Sequence, residues 1–142
     1  MYKRILVAID LDDESGWRAP LVAAVEQARK FGAELIVMTV VREVEAILYA
    51  KTGPLAYEMI AADLERQLEA CVRKISAYDL RPRLVVMHGQ SIYASILGVA
   101  EGAGAELIVV GSHRPAMKDY LLGTNSGRVV RHATCSVLVV RG

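Results

Sequence analysis

At 142 residues the chain has the length of one domain, room for a single well-formed core and not for two. Its residues are 54% hydrophobic but only 6% aromatic, a composition of Val, Ile, Leu and Ala that suits parallel strands buried on both faces. The net charge of +1, with no long run of Lys or Arg, argues against nucleic acid as a partner.

No apolar segment approaches the ~18 residues that span a bilayer, so no membrane association is expected. The opening MYKRILVAID breaks its apolar run at Asp10, too soon for a signal-peptide core. Cys71 and Cys135 have neither metal nor redox spacing and read as buried thiols. A cytoplasmic protein is expected.

In chain order, Ile5-Leu6-Val7-Ala8-Ile9 predicts strand 1, ending at Asp10. From Trp17 to Phe31, apolar residues at Leu21, Val22, Val25 and Ala28 have helical spacing, and Gly32 closes that helix. Leu35 to Val41 predicts strand 2, and Arg42 to Pro54 a loop that can hold helical turns. Ile60, Leu64, Leu68, Val72 and Ile75 mark a long helix from Leu55 to the region of Tyr78. Pro82 blocks its continuation, and Leu84 to Met87 predicts strand 3, stopped at Gly89. Ser91 is placed to cap a third helix, in which Ile92, Ile96, Leu97 and Ala100 share a face and which Gly102 and Gly104 end. Leu107 to Val110 predicts strand 4, Ser126 to His132 a short fourth helix, and Val137 to Val140 strand 5.

Strands alternating with helices in this way predict one α/β domain over residues 1–142. Right-handed crossovers make it a doubly wound five-stranded parallel sheet with helices on both faces. In the strand order 3-2-1-4-5, the order reverses between strands 1 and 4, where such sheets bind ligands. Asp10 and Gly111 lie on the two loops that flank this reversal.

Other phosphate-handling motifs are absent from the sequence. No Gly-Lys pair exists for a P-loop, and Gly102-Ala103-Gly104 precedes a strand and lacks a third glycine, so it is no dinucleotide fingerprint. A phosphate-accepting receiver domain would need an aspartate at the end of strand 3 and a lysine after strand 5; the residues there are Met87-His88-Gly89 and Val140-Arg141-Gly142.

What remains has the shape of a nucleotide site. Gly111 and Gly123 let backbone amides approach a ligand with no Cβ in the way. Thr124, Asn125 and Ser126 offer polar groups beside the unpaired donors expected at a helix N-terminus, which favour phosphate. Asp10 can accept hydrogen bonds from ribose hydroxyls. Helix capping would account for residues 123–126 and a loop-capping carboxylate for Asp10; their co-location tips the reading toward a ligand. His113 and Arg114 can donate to phosphate or stand solvated on a loop. Asp12, Asp13 and Glu14 read as a solvated acidic turn, and His88 and His132 as structural.

Over essentially its whole length the chain resembles the universal stress protein family. The resemblance rests on the opening ILVAID, the alternating pattern, and above all the ending GSHRPAMKDYLLGTNSGRVVRHATCSVLVVR. It implies a homodimeric stress-response factor with an adenine nucleotide alpha hydrolase-like fold. It also implies binding of ATP with magnesium, and at most slow hydrolysis or autophosphorylation. The family's G-x2-G-x9-G-[ST] pattern falls on Gly111 and on Gly123-Thr124. The implied site takes in Ala8, Ile9 and Asp10, Val40 under adenine, Met87 and Gly89, then Val110, Gly111, Ser112, His113 and Arg114, and finally Gly123, Thr124, Asn125 and Ser126. The apolar strand Ser136 to Val140 suits edge pairing between two subunits.

The chain departs from the pattern at two points. Arg114 replaces the second glycine, and only Pro115 to Leu122 separate it from Gly123, one residue short. The SHRP…YLLGTN form resembles the F and G subgroup of bacterial members, with which nucleotide binding is associated. Either Arg114 binds the phosphates itself, or it closes the site and leaves a dimeric interaction module that binds no nucleotide. With Arg114 on the phosphates, Arg114→Gly weakens ATP affinity in calorimetry by about 1.5–3 kcal/mol, the worth of a charge-assisted hydrogen bond. A gain in affinity would identify the arginine as an obstruction.

Overall fold

The structure, a computed structural model, describes residues 1–12, 14–42, 53–76, 80–89, 91–112 and 120–141. Its strands are β1 (Arg4–Ala8), β2 (Glu34–Arg42), β3 (Arg83–Gly89), β4 (Leu107–Ser112) and β5 (Ser136–Arg141). Its helices among the described residues are α1 (Glu14–Phe31), α2 (Pro54–Ile75), α3 (Ile92–Ala103) and α4 (Tyr120–His132).

The strands form one sheet in the order β3-β2-β1-β4-β5, as the alternation predicts, and every pairing is parallel. β1 is central: Ala8 lies opposite Met38 of β2 on one side and Val110 of β4 on the other. Because side chains alternate along a strand, each strand feeds two cores. Ile5, Val7, Leu35, Val37, Leu107 and Val109 pack under α1 and α2. Leu6, Ala8, Ile36, Met38, Ile108 and Val110 pack under α3 and α4. Burial on both faces is why these strands read as unbroken aliphatic runs.

Several boundaries differ from the expected ones. α1 begins at Glu14, three residues before Trp17, and carries Pro20 in its interior. The proline removes one intrahelical bond; the buried stripe of Trp17, Leu21, Ala24, Val25 and Ala28 offsets it. Gly102 lies inside α3, and Gly104 alone closes that helix, in the left-handed conformation (φ 68) that favours glycine. Ser91 caps α3 as expected, its side chain accepting from the Ala94 amide at 3.4 Å. β3 runs on through Gly89, and β4 through Gly111 and Ser112.

The largest difference is in α4, which starts at Tyr120 and not at Ser126. Gly123 to Ser126 are therefore inside a helix. The expected loop at 42–54 lies outside the described residues except at its ends, as does the expected helix end at Tyr78. α2 ends instead at Ile75. There Ser76 donates its amide to Val72 and accepts from the Arg29 guanidinium at 2.7 Å. Among the described residues no helix is long and apolar enough to cross a membrane.

Gly98 is exposed in the interior of α3, and a Cβ added there meets nothing within 4 Å. Gly98→Ala should therefore raise stability by about 1 kcal/mol in urea unfolding, the helix-propensity difference.

Burial pushes the Cys71 thiol above its ordinary range, with Lys74 opposing and Glu14 adding to it, and burial does the same to Cys135. The native state thus holds these protons longer than the unfolded chain does. Their contribution to stability is complete below the unfolded thiol range and is lost as pH rises through the native one. Between neutral pH and about pH 10, the urea midpoint should fall more steeply in the native sequence than in Cys71→Ala/Cys135→Ala.

Candidate functional site at the carboxyl edge of the sheet

The sheet's alternation sorts the predicted site residues by face. Ala8 and Val110 belong to the core under α3 and α4, and Val40 packs against it. Asp10 lies past the end of β1, in the turn that follows; by the strand period Met87 and Gly89 follow Val85, and Ser112 follows Val110. These positions from four strands therefore share one face at one edge. Ile9 belongs to the opposite core, although its amide continues the ladder by donating to Met38 at 2.9 Å. Gly111, buried in β4, is out of phase with Val110 and offers backbone only.

Asp10 is half-buried, and its Oδ1 accepts the Asp12 amide at 3.0 Å. The turn after β1 is thus held by the carboxylate itself, as a loop-capping residue holds it. Glu14 is engaged with Arg18 one helical turn on, at 3.3 Å. Among the described residues no group of three or more His, Cys, Asp or Glu gathers as a metal cage would require.

On the other side of the reversal, the start of α4 at Tyr120 changes what residues 123–126 can offer. A helix leaves only its first-turn amides unpaired, so the amides of Asn125 and Ser126 are spent within the helix. Their side chains are spent as well. Asn125 is 6% exposed, and its Oδ1 accepts the Tyr93 amide of α3 at 2.9 Å. Ser126 is 3% exposed, and its hydroxyl donates to the Gly111 carbonyl of β4. Two residues expected as phosphate donors are thus tethers between elements. Among the described residues no buried side-chain nitrogen or oxygen lacks a partner.

At the β3 end, Met87 and His88 are exposed, and the His88 ring meets Tyr57 of α2 edge-on, with centroids 5.0 Å apart. Burial raises the Tyr57 hydroxyl above its ordinary range. Gly89 has a packing reason of its own: a Cβ there would stand 2.8 Å from Ser95 Oγ, which bonds to the Ser91 carbonyl. His132 stacks on Tyr93 at 5.8 Å, and the Arg128 guanidinium lies over the same ring at 5.3 Å. His113 and Arg114 lie outside the described residues.

Sequence reasoning overlooked Tyr93, an aromatic two residues after a cap. The signal for it was the spacing of Asn125, Arg128 and His132, which share one helical stripe.

Known proteins agree with this architecture. The sequence pattern of the universal stress protein family matches residues 1–141. The universal stress protein YxiE of Bacillus subtilis is 32% identical over 99% of this chain and 100% of its own length. Universal stress protein G of Shigella flexneri is 35% identical over 63% of this chain and 70% of its own. Among solved structures, a universal stress protein in complex with cAMP superposes with a TM-score of 0.65 at 25% identity, over 99% of this chain and 97% of that one. The universal stress protein from Archaeoglobus fulgidus in complex with dAMP gives a TM-score of 0.61 at 21% identity, over 98% of each chain. By its pattern, its relatives and its strand order, this chain belongs to the universal stress protein family.

Proposed function

We propose that the protein binds an adenine nucleotide, ATP with magnesium, at the carboxyl edge between β1 and β4, and acts as a nucleotide-dependent stress-response factor. The observation that carries this reading is the alignment of Ala8, Val40, Met87, Val110 and Ser112 on one face of the sheet, beside the turn that holds Asp10 at the reversal of strand order. Relatives of the same fold solved with cAMP and dAMP support it.

In this reading Asp10 receives the ribose hydroxyls, and Val40 with Met87 and Gly89 takes the base. The backbone at Gly111 and Gly123, with Thr124, His113 and Arg114, takes the phosphates. Magnesium arrives with the triphosphate and its waters, its usual manner of binding. With binding groups and no nucleophile–base pair evident in the sequence, the site works as a sensor of nucleotide state with at most slow hydrolysis or autophosphorylation.

Dimerisation through β5 belongs to the same proposal. β5 is an edge strand whose Val137, Leu138, Val139 and Val140 are only half-buried in one chain. A second copy of that edge would complete both its ladder and its apolar cover. One observation favours the alternative of an interaction module without nucleotide: Asn125 and Ser126 spend their side chains on the fold.

Calorimetry with ATP and magnesium, together with acid release of any co-purified small molecule, decides between the two. Saturable binding is expected; none at millimolar ATP would sink the nucleotide reading and leave the dimer. Gly123→Val should abolish binding in a protein whose circular dichroism is unchanged, because a branched side chain would stand where backbone meets phosphate.

A further inference from the structure

We propose that Asn125 is a positioning residue of this site. Through the Tyr93 amide it holds the first half of α4, which carries Gly123 and Thr124, in fixed relation to the first turn of α3, and it touches no ligand. Its binding consequence rests on the nucleotide reading above, whereas its structural one does not.

The geometry points both ways from α4. Successive residues on a helix project about 100° apart. Asn125 and Ser126 therefore reach different elements, Asn125 to Tyr93 of α3 and Ser126 to Gly111 of β4. A single tether would leave α4 free to swing about it; two tethers in different directions fix the turn they share. The same Tyr93 meets α4 again through its ring, under Arg128 at 5.3 Å and against His132 at 5.8 Å. Contacts at 125, 128 and 132 follow one stripe of α4, so one residue of α3 registers the position of that helix.

The burial of the amide side chain explains why this position cannot double as a ligand contact. Asn125 Oδ1 already accepts from Tyr93 in a residue 6% exposed. A phosphate oxygen would accept from Nδ2 and not from Oδ1, so it is the burial of the side chain that keeps a ligand away from it. In the same turn the Ala94 amide is taken by Ser91, so two side chains from two elements satisfy the N-terminus of α3. Its donors at Tyr93 and Ala94 are engaged before any nucleotide arrives.

The test compares Asn125→Ala, which loses the acceptor, with Asn125→Asp, which keeps an acceptor in the same place. In nucleotide-free protein, amide hydrogen exchange is read at Tyr93 and at Gly123 and Thr124. Asn125→Ala should speed all three by about 10-fold, and Asn125→Asp should return them to within about 3-fold of the native rate, on the scale of one lost hydrogen bond. ATP titrations of the same proteins should show affinity about 10-fold weaker in Asn125→Ala and recovered, at least in part, in Asn125→Asp.

Unchanged exchange at Gly123 and Thr124 in Asn125→Ala would overturn the proposal, since the contact would then be local to α3. ATP affinity unchanged in Asn125→Ala would overturn the binding consequence, since the tether would then position nothing that meets the nucleotide. If the native protein binds no ATP, the nucleotide reading fails by itself and the exchange rates still decide the role of Asn125.

Discussion

The carboxyl edge of this protein depends on one pairing, that of β1 with β4, in which Ala8 stands opposite Val110. Because β1 also pairs with β2, the chain must leave the centre of the sheet in two directions. Right-handed crossovers then put α1 and α2 over one face and α3 and α4 over the other. The strand order reverses between β1 and β4, the position at which sheets of this kind bind ligands. Register matters as much as order. A slip of one residue along β1 would turn Ala8 toward α1 and leave Val110 and Val40 in the opposite core without it.

Much of this was legible in the amino-acid order because burial on both faces leaves an unmistakable mark. Leu6 to Ile9, Leu35 to Val41 and Leu107 to Val110 read as strands since each residue needs an apolar partner, whichever face it meets. Strand order followed from the architecture and required no side chain to identify it. Ser91 and Gly104 were legible for a local reason: capping and left-handed closure depend on the residue itself.

The start of α4 was not legible, for a physical reason that Asn125 and Ser126 illustrate. Both residue types favour helix starts because short polar side chains can reach a free backbone donor. In this fold they reach backbone groups of other elements, a Tyr93 donor and a Gly111 acceptor that are distant in sequence. Gly123 reinforced the wrong boundary, since glycine inside a helix is unfavourable and reads as punctuation. Tertiary partners can overrule both signals, and no window of a few residues contains them. Gly89 shows the converse. The resemblance places it in the implied site, yet a Cβ there would meet Ser95 Oγ of α3, which gives the glycine a packing reason of its own.

The central position of β1 also governs how the chain reaches its native state. Ile5 pairs with Leu35 across a short stretch of chain, but with Leu107 across one of about a hundred residues. As the chain emerges during synthesis, β1 can pair early with β2 while its other edge stays open until β4 exists. Through that interval the strand buries only half of its ladder, and its unsatisfied edge is a template for any foreign strand. Closing it joins two halves of one sheet across the longest loop in the fold. The strand that holds the finished molecule together therefore stays half-paired until β4 arrives, and the span from Ile5 to Leu107 sets the loop-closure entropy that slows assembly.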